Sequence, residues 1–202
     1  MDWGETKLKS IKEEILYVFP FGSKVYGNVT KNSDTDLIVV VKGNEELKYQ
    51  ICDDDGDIHV YSRKTFEGLI DRHDISALEC IFSNDTDFDF VLDFEKLRRS
   101  ISAVASNSFV KCKKKLTSGS DYNPYIAKKS MFHSIRILEF GIQIAKYGKI
   151  TDFGCANHYY EMLLEMDDWG TIKNYFQPIA NKLKSEFKKL APLDKDIYNK
   201  KW

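Results

Sequence analysis

Ile15-Leu16-Tyr17-Val18-Phe19-Pro20-Phe21-Gly22-Ser23, followed after ten intervening residues by Asp34-Thr35-Asp36-Leu37-Ile38-Val39-Val40-Val41, is the stretch that decides the fold. An apolar segment runs into a Gly-Ser pair, and a second apolar segment leads away from two aspartates. This reads as a strand, a tight turn of phosphate size, and a second strand that Asp34 opens. Side chains alternate along a strand, so Asp34 and Asp36 would point the same way, close enough to hold one cation together. A magnesium-bound triphosphate is the ligand that most needs such a pair beside such a turn.

Outward from this core the pattern continues. Leu8, Ile11 and Ile15 have helical spacing, which predicts a helix over about Glu5–Glu14 before the first strand. Gly22 to Asn32 is a turn-rich connection. The wholly apolar end of Asp34–Val41 predicts a strand buried on both faces. Gln50-Ile51-Cys52 is a candidate short strand before the acidic turn Asp53-Asp54-Asp55-Gly56. Asp57-Ile58-His59-Val60-Tyr61-Ser62 alternates cleanly and predicts another. Helices are expected at Lys64–Ile70 and Ser76–Phe82, a boundary loop near Asn84–Asp89, and then helices near Phe94–Ala105, Ser108–Leu116, Tyr125–Tyr147, Cys155–Glu165 and Trp169–Leu190. The expected fold class is α+β, a sheet domain over 1–92 followed by an all-helical domain over 93–202.

Asp57, His59 and Tyr61 share one strand face, and Asp57 opens its strand as Asp34 opens its own. If the two strands are neighbours, three carboxylates converge. Two like charges about 4 Å apart repel by roughly 4 kcal/mol at an effective dielectric near 20. Mg²⁺ (or Mn²⁺) removes that cost, and its octahedral shell suits one or two carboxylates plus phosphate oxygens. Two such ions clamp the attacking and leaving oxygens of a phosphoryl transfer. In that role Asp34 and Asp36 bind both metals, while Asp57 binds the catalytic metal and accepts the proton of an attacking hydroxyl. Gly22 lets backbone approach the triphosphate, and Ser23 hydrogen-bonds its terminal phosphates. Asp53, Asp54 and Asp55 stand close enough in sequence to compete with Asp57 for the third position. Aspartates beside a turn are also common as caps or solvated charges.

Composition narrows the setting. With 43% apolar residues in 202, the chain can build one domain or two small ones. The acidic start Met1-Asp2-Trp3-Gly4-Glu5 is unlike a signal peptide. Cys52, Cys80, Cys112 and Cys155 are widely spaced, which argues against a zinc or disulfide framework and for a reducing, cytoplasmic setting. A net charge of −1 conceals a segregation: residues 30–95 carry 17 acids and 6 bases, residues 96–149 carry 12 bases and 2 acids. Either two solvated faces attract each other, or an acidic metal-binding half and a basic half accept an anionic substrate.

The chain resembles the DNA polymerase beta-like nucleotidyltransferases, and among them the "predicted nucleotidyltransferase" branch of bacteria and their phages. The resemblance rests on Gly22-Ser23-Lys24-Val25-Tyr26-Gly27, Asn32-Ser33-Asp34-Thr35-Asp36, Asp57 to Phe66, Ser76 to Ser83 and a later helix with Lys129, His133 and Arg136, across about 120 residues. It implies a mixed sheet with flanking helices, a helical C-terminal domain, and transfer of a nucleoside monophosphate from an NTP with release of pyrophosphate. It implies Asp34, Asp36 and Asp57 as catalytic metal ligands, and Gly22, Ser23, Lys24, Ser33, Lys129, His133 and Arg136 as nucleotide-binding. Lys24 stands where an Arg is common in this branch, so a point charge replaces a planar fork.

Lys129, His133 and Arg136 at i, i+4 and i+7 share a helical face. Such a stripe neutralises a leaving pyrophosphate, or is a solvated face with a packed histidine. Arg63 and Lys64 are the next candidates for phosphate contact. Glu79, in an apolar helix, reads as a buried carboxylate satisfied by local donors. Lys111-Cys112-Lys113-Lys114-Lys115 is either a solvated run or one that attracts RNA, and the sequence does not choose among a tRNA end, a protein hydroxyl and a small molecule as acceptor. Two readings from other classes stay open: a noncatalytic nucleotide-binding or regulatory module on the same fold, and an RNA-binding protein using the basic half.

Overall fold

The computed structural model describes residues 3–27, 34–53 and 56–193. The chain separates into two compact units, Met1–Val91 and Leu92–Trp202. The first holds α1 (Trp3–Leu8), β1 (Ile15–Phe21), α2 (Ser23–Tyr26), β2 (Thr35–Val41), β3 (Lys48–Asp53), β4 (Gly56–Ser62), α3 (Arg63–Asp71) and α4 (Ile75–Ser83). The four strands lie in the order β1-β2-β4-β3. β2 and β4 are parallel, and both outer pairs are antiparallel, so the sheet is mixed.

The aliphatic run of β2 sits at the middle of that sheet, with Leu37 to Val41 buried. Leu37, Val39, Val41, Ile58 and Val60 form the core of one face, against which Leu8, Ile11, Ile15, Leu47, Tyr49 and Ile51 pack. The triad Leu8, Ile11 and Ile15 therefore does share a surface, although α1 ends at Leu8 and Ile15 already belongs to β1. The expected helix to Glu14 is too long because the same spacing is met by a helix end, a turn and a strand start. α3 and α4 pack along the sheet unit, α3 on β2 and β4 and α4 on β1. Phe66 of α3 stacks near Phe19 at 5.7 Å and meets Tyr61 at 6.4 Å. Ser62 and Asp74 cap the two helices, each accepting from backbone N–H groups of the first turn.

The expected boundary loop is pinned to this unit. Asp87 accepts from Tyr17 Oη at 2.6 Å and from Arg63 Nη1 at 3.1 Å. Those bonds, Tyr17's foremost, hold its carboxyl below the usual range. Phe88 packs on Phe66 and Tyr17, with centroids 5.0 and 5.2 Å away.

The second unit contains α5 (Phe94–Thr117), α6 (Pro124–Tyr147), α7 (Tyr160–Leu164) and α8 (Trp169–Leu190). One continuous α5 replaces the two expected helices, since Ser106-Asn107-Ser108 lie on its partly exposed side rather than breaking it. α5 and α6 form a hairpin, joined by a turn with a 3₁₀ segment at Gly119–Asp121, and α8 packs on both. Gly141 makes the crossing close: a Cβ there would lie 2.8 Å from Ile101 and 3.2 Å from Phe187. The helix expected over Cys155–Glu165 is shorter. Gln143 holds the preceding loop by accepting from the Thr151 and Asp152 amides, so α7 starts only at Tyr160.

Candidate functional site

Asp36 and Asp57 are direct partners in the parallel ladder between β2 and β4. Registered residues on neighbouring strands project from the same face, with the strands about 4.8 Å apart. The opposite face is occupied by Leu37, Val39, Ile58 and Val60, so both carboxylates stand on the side away from that core.

Two glycines permit this approach. A Cβ on Gly22 (φ 72°) would come within 2.7 Å of Asp36 Oδ2. A Cβ on Gly56 would lie 2.0 Å from the Thr35 carbonyl oxygen. Gly56 precedes Asp57 as Thr35 precedes Asp36, and the two pair in register. Gly22 was readable as a turn residue. The role of Gly56 required knowing which strand lies beside it.

Asp34 is placed differently from the expectation. β2 begins at Thr35, and Asp34 is exposed just before it. Among the described residues no three His, Cys, Asp or Glu side chains form a group able to hold a metal ion. The ladder pairs Asp36 with Asp57, and Asp34 lies exposed at the strand entrance. Ser33, Asp54 and Asp55 lie outside the described residues. Asp53 lies 2.6 Å from Lys7 Nζ, and it is Asp57 that pairs with Asp36 in the ladder.

The fourth participant was not foreseen. Cys52 is the antiparallel partner of Asp57 and is exposed. A hydrogen bond to the Asp57 carboxylate raises the thiol's pKa above its usual range, with desolvation and the Asp57 and Asp53 charges adding to the effect. Its signal in the sequence was the Asp-rich hairpin turn, from which the Cys52–Asp57 pairing follows by counting back.

Gly22 leads into the single turn α2. Ser23 is partly buried, and the Lys24 ammonium donates to Thr35 Oγ1 at 3.0 Å, linking the turn to the start of β2. Glu79 is buried as expected, but its donor is not local: the Tyr26 hydroxyl, 53 residues away, hydrogen-bonds to it. Arg63 is committed to Glu67 at 2.9 Å and to Asp87, over the Phe88 ring. It is a structural residue of the sheet unit, whereas Lys64 is exposed.

In the helical unit the stripe on α6 runs from solvent inward. Lys129 is exposed, with its ammonium 5.3 Å from the Tyr125 ring centroid. His133 is partly buried, and Arg136 is only 6% exposed. Arg136 Nη2 lies 3.0 Å from His133 Nδ1. A guanidinium can only donate, so Nδ1 accepts and the imidazole proton sits on Nε2. Burial, then the charges of Arg136 and Lys111, push the imidazole pKa down to about 3. His133 is therefore a neutral donor rather than a cation. The basic run divides as well: Cys112 is buried, Lys114 and Lys115 both pair with Asp121, and Lys111 and Lys113 are exposed.

A family model described as "Nucleotidyltransferase domain" matches residues 2–112, more than half of the chain. The chain belongs to the nucleotidyltransferase domain family. The match takes in the whole sheet unit and most of α5, and the family's general chemistry is nucleotidyl transfer. No curated protein matches this nucleotidyltransferase-domain chain. No helix among its described residues is long and apolar enough to cross a membrane.

Proposed function

We infer that the protein is a magnesium-dependent enzyme that moves a nucleoside monophosphate from an NTP to an acceptor hydroxyl and releases pyrophosphate. The observation that carries this reading is the registered pair Asp36–Asp57, with the Gly22 turn drawn against the Asp36 carboxylate. The donor set suits Mg²⁺: two hard carboxylates side by side, a gap that a single Cβ would fill, and coordination sites left for phosphate oxygens.

Asp36 and Asp57 would hold the metal, with Asp34 beside them at the strand entrance. When bound, Mg²⁺ supplies charge neutralisation for the triphosphate and for the oxygens of the displacement. Asp57 is the group that takes the proton of the attacking hydroxyl. Gly22 and Ser23 receive the terminal phosphates, and Lys24 and Ser33 supplement them, whereas a nucleotide-binding role for Lys129, His133 and Arg136 of α6 is supported by the resemblance alone. Catalysis is mainly positioning and charge neutralisation. The acceptor is an RNA end, a protein hydroxyl or a small molecule.

Label transfer tests this. The protein is incubated with Mg²⁺ or Mn²⁺, each α-³²P NTP in turn, and total bacterial RNA and protein. An Asp34→Ala/Asp36→Ala double variant runs alongside. Label on a discrete macromolecule, absent with the variant, is the expected result and names both nucleotide and acceptor class. Metal-dependent pyrophosphate release without macromolecular label points to a small acceptor. Loss of both signals in a protein that still binds NTP overturns the enzyme reading in favour of a binding module.

A further inference from the structure

α2 is a four-residue turn between Gly22 (φ 72°, ψ −145°) and Gly27 (φ 72°, ψ 20°). So short a helix has no stability of its own, and neither flanking glycine restrains it. Its position must come from tertiary ties. Among these is an exposed one, the Lys24–Thr35 hydrogen bond. Another is buried: Tyr26 is 4% exposed, and its hydroxyl donates to Oε2 of Glu79, which is 2% exposed. Glu79 belongs to α4, itself held by packing on β1 and α3 and by the Asp74 cap. A hydrogen bond to a buried carboxylate is strong, directional and little screened by salt. The same turn carries Gly22, where the clearance to Asp36 is smaller than one methyl group.

We propose that Tyr26 and Glu79 are positioning residues of the nucleotide site, their buried hydrogen bond holding the Gly22–Tyr26 turn against Asp36 in the arrangement that grips the terminal phosphates. This rests on the reading of Gly22-Ser23 as the phosphate-binding turn. Neither side chain is assigned a contact with the nucleotide, and both act through the backbone they anchor. A carboxylate is not required, only an acceptor in that place, so Glu79→Gln keeps the tie and Tyr26→Phe breaks it while keeping the ring.

The test uses inorganic tripolyphosphate with Mg²⁺, which avoids any choice of base, titrated calorimetrically into the full chain. Amide hydrogen exchange is followed in parallel. Tyr26→Phe is expected to bind about tenfold more weakly and to exchange the amides of residues 22–27 about tenfold faster, as loss of one such bond would give. The amides of β2 and α4 should keep their rates, and Glu79→Gln should stay within about threefold of wild type. Wild-type affinity in Tyr26→Phe overturns the positioning role. So does faster exchange spread evenly over β2 and α4, which marks a bond that merely stabilises the unit. If the wild-type protein binds no tripolyphosphate, the phosphate-turn reading falls on its own account. The exchange rates at residues 22–27 then still decide whether the bond holds the turn.

Discussion

The sheet unit and the helical unit both use glycine to bring parts close, with opposite consequences. At Gly56 the missing side chain would strike the Thr35 carbonyl, and at Gly22 the Asp36 carboxylate. At Gly141 it would strike Ile101 and Phe187 side chains. In the first unit the neighbours are a strand backbone and a charged group of the candidate site, and neither can yield without moving that site. In the second they are apolar side chains that can shift rotamer. Closeness at the sheet end keeps charges side by side, whereas closeness between helices buries apolar surface. The same economy of atoms thus serves chemistry in one place and packing in the other.

Gly56→Ala breaks the comparison most severely. It forces a methyl group into backbone, opening the β2–β4 ladder at the pair just before Asp36 and Asp57. A loss of about 3 kcal/mol or more is expected in urea unfolding, and a loss below about 1 kcal/mol would show that the strand ends adjust freely. Next comes Asp36→Asn, which removes a charge and little volume. Transfer of label should fall by about 100-fold or more, equivalent to about 2.7 kcal/mol of barrier, with stability changed by less than about 1 kcal/mol. Full activity in this variant would remove Asp36 from the chemistry.

Gly141→Ala is the counterpart in the helical unit. It should cost about 1–3 kcal/mol by overpacking and leave activity per folded molecule unchanged. Reduced activity in a fully folded variant would mean that this crossing also serves the site.

The smallest effect sharpens the contrast electrostatically. The His133 pKa is depressed to about 3 in the folded protein, against about 6.5 unfolded. The unfolded chain therefore binds the extra proton first. Stability from this group is fully present above about pH 6.5 and is lost as pH falls towards about 3. Between pH 7.5 and 5.5 the wild type should lose about 1.4 kcal/mol more than His133→Gln. Parallel pH profiles for the two proteins in urea unfolding would contradict the neutral, partly buried imidazole.

Much of this was legible in order along the chain. Leu37-Ile38-Val39-Val40-Val41 could only be a strand covered on both faces, and it is. Alternation in Asp57–Ser62 correctly separates Ile58 and Val60, which face the core, from Asp57 and His59. What failed were the ends. Asp34 reads as the first residue of its strand, but a strand begins where a neighbour's hydrogen bonds begin, and β4 pairs only from Thr35. Ser106-Asn107 reads as a break in α5, although polar residues on a partly exposed side interrupt nothing.

The amino-acid sequence by itself determined the order of elements, the Gly-Ser turn, the aspartate pairings open to choice, and the basic stripe of α6, because all of these depend on spacing within about ten residues. Tertiary structure alone decided that Asp57 rather than Asp53 stands beside Asp36, that Arg63 is held by Asp87, that Arg136 faces His133 on its acceptor side, and that Tyr26 reaches Glu79 across 53 positions. Each of these is a choice among partners that local pattern leaves equivalent. Only the register of the sheet and the packing of helices, set by burial of distant apolar residues, makes them different.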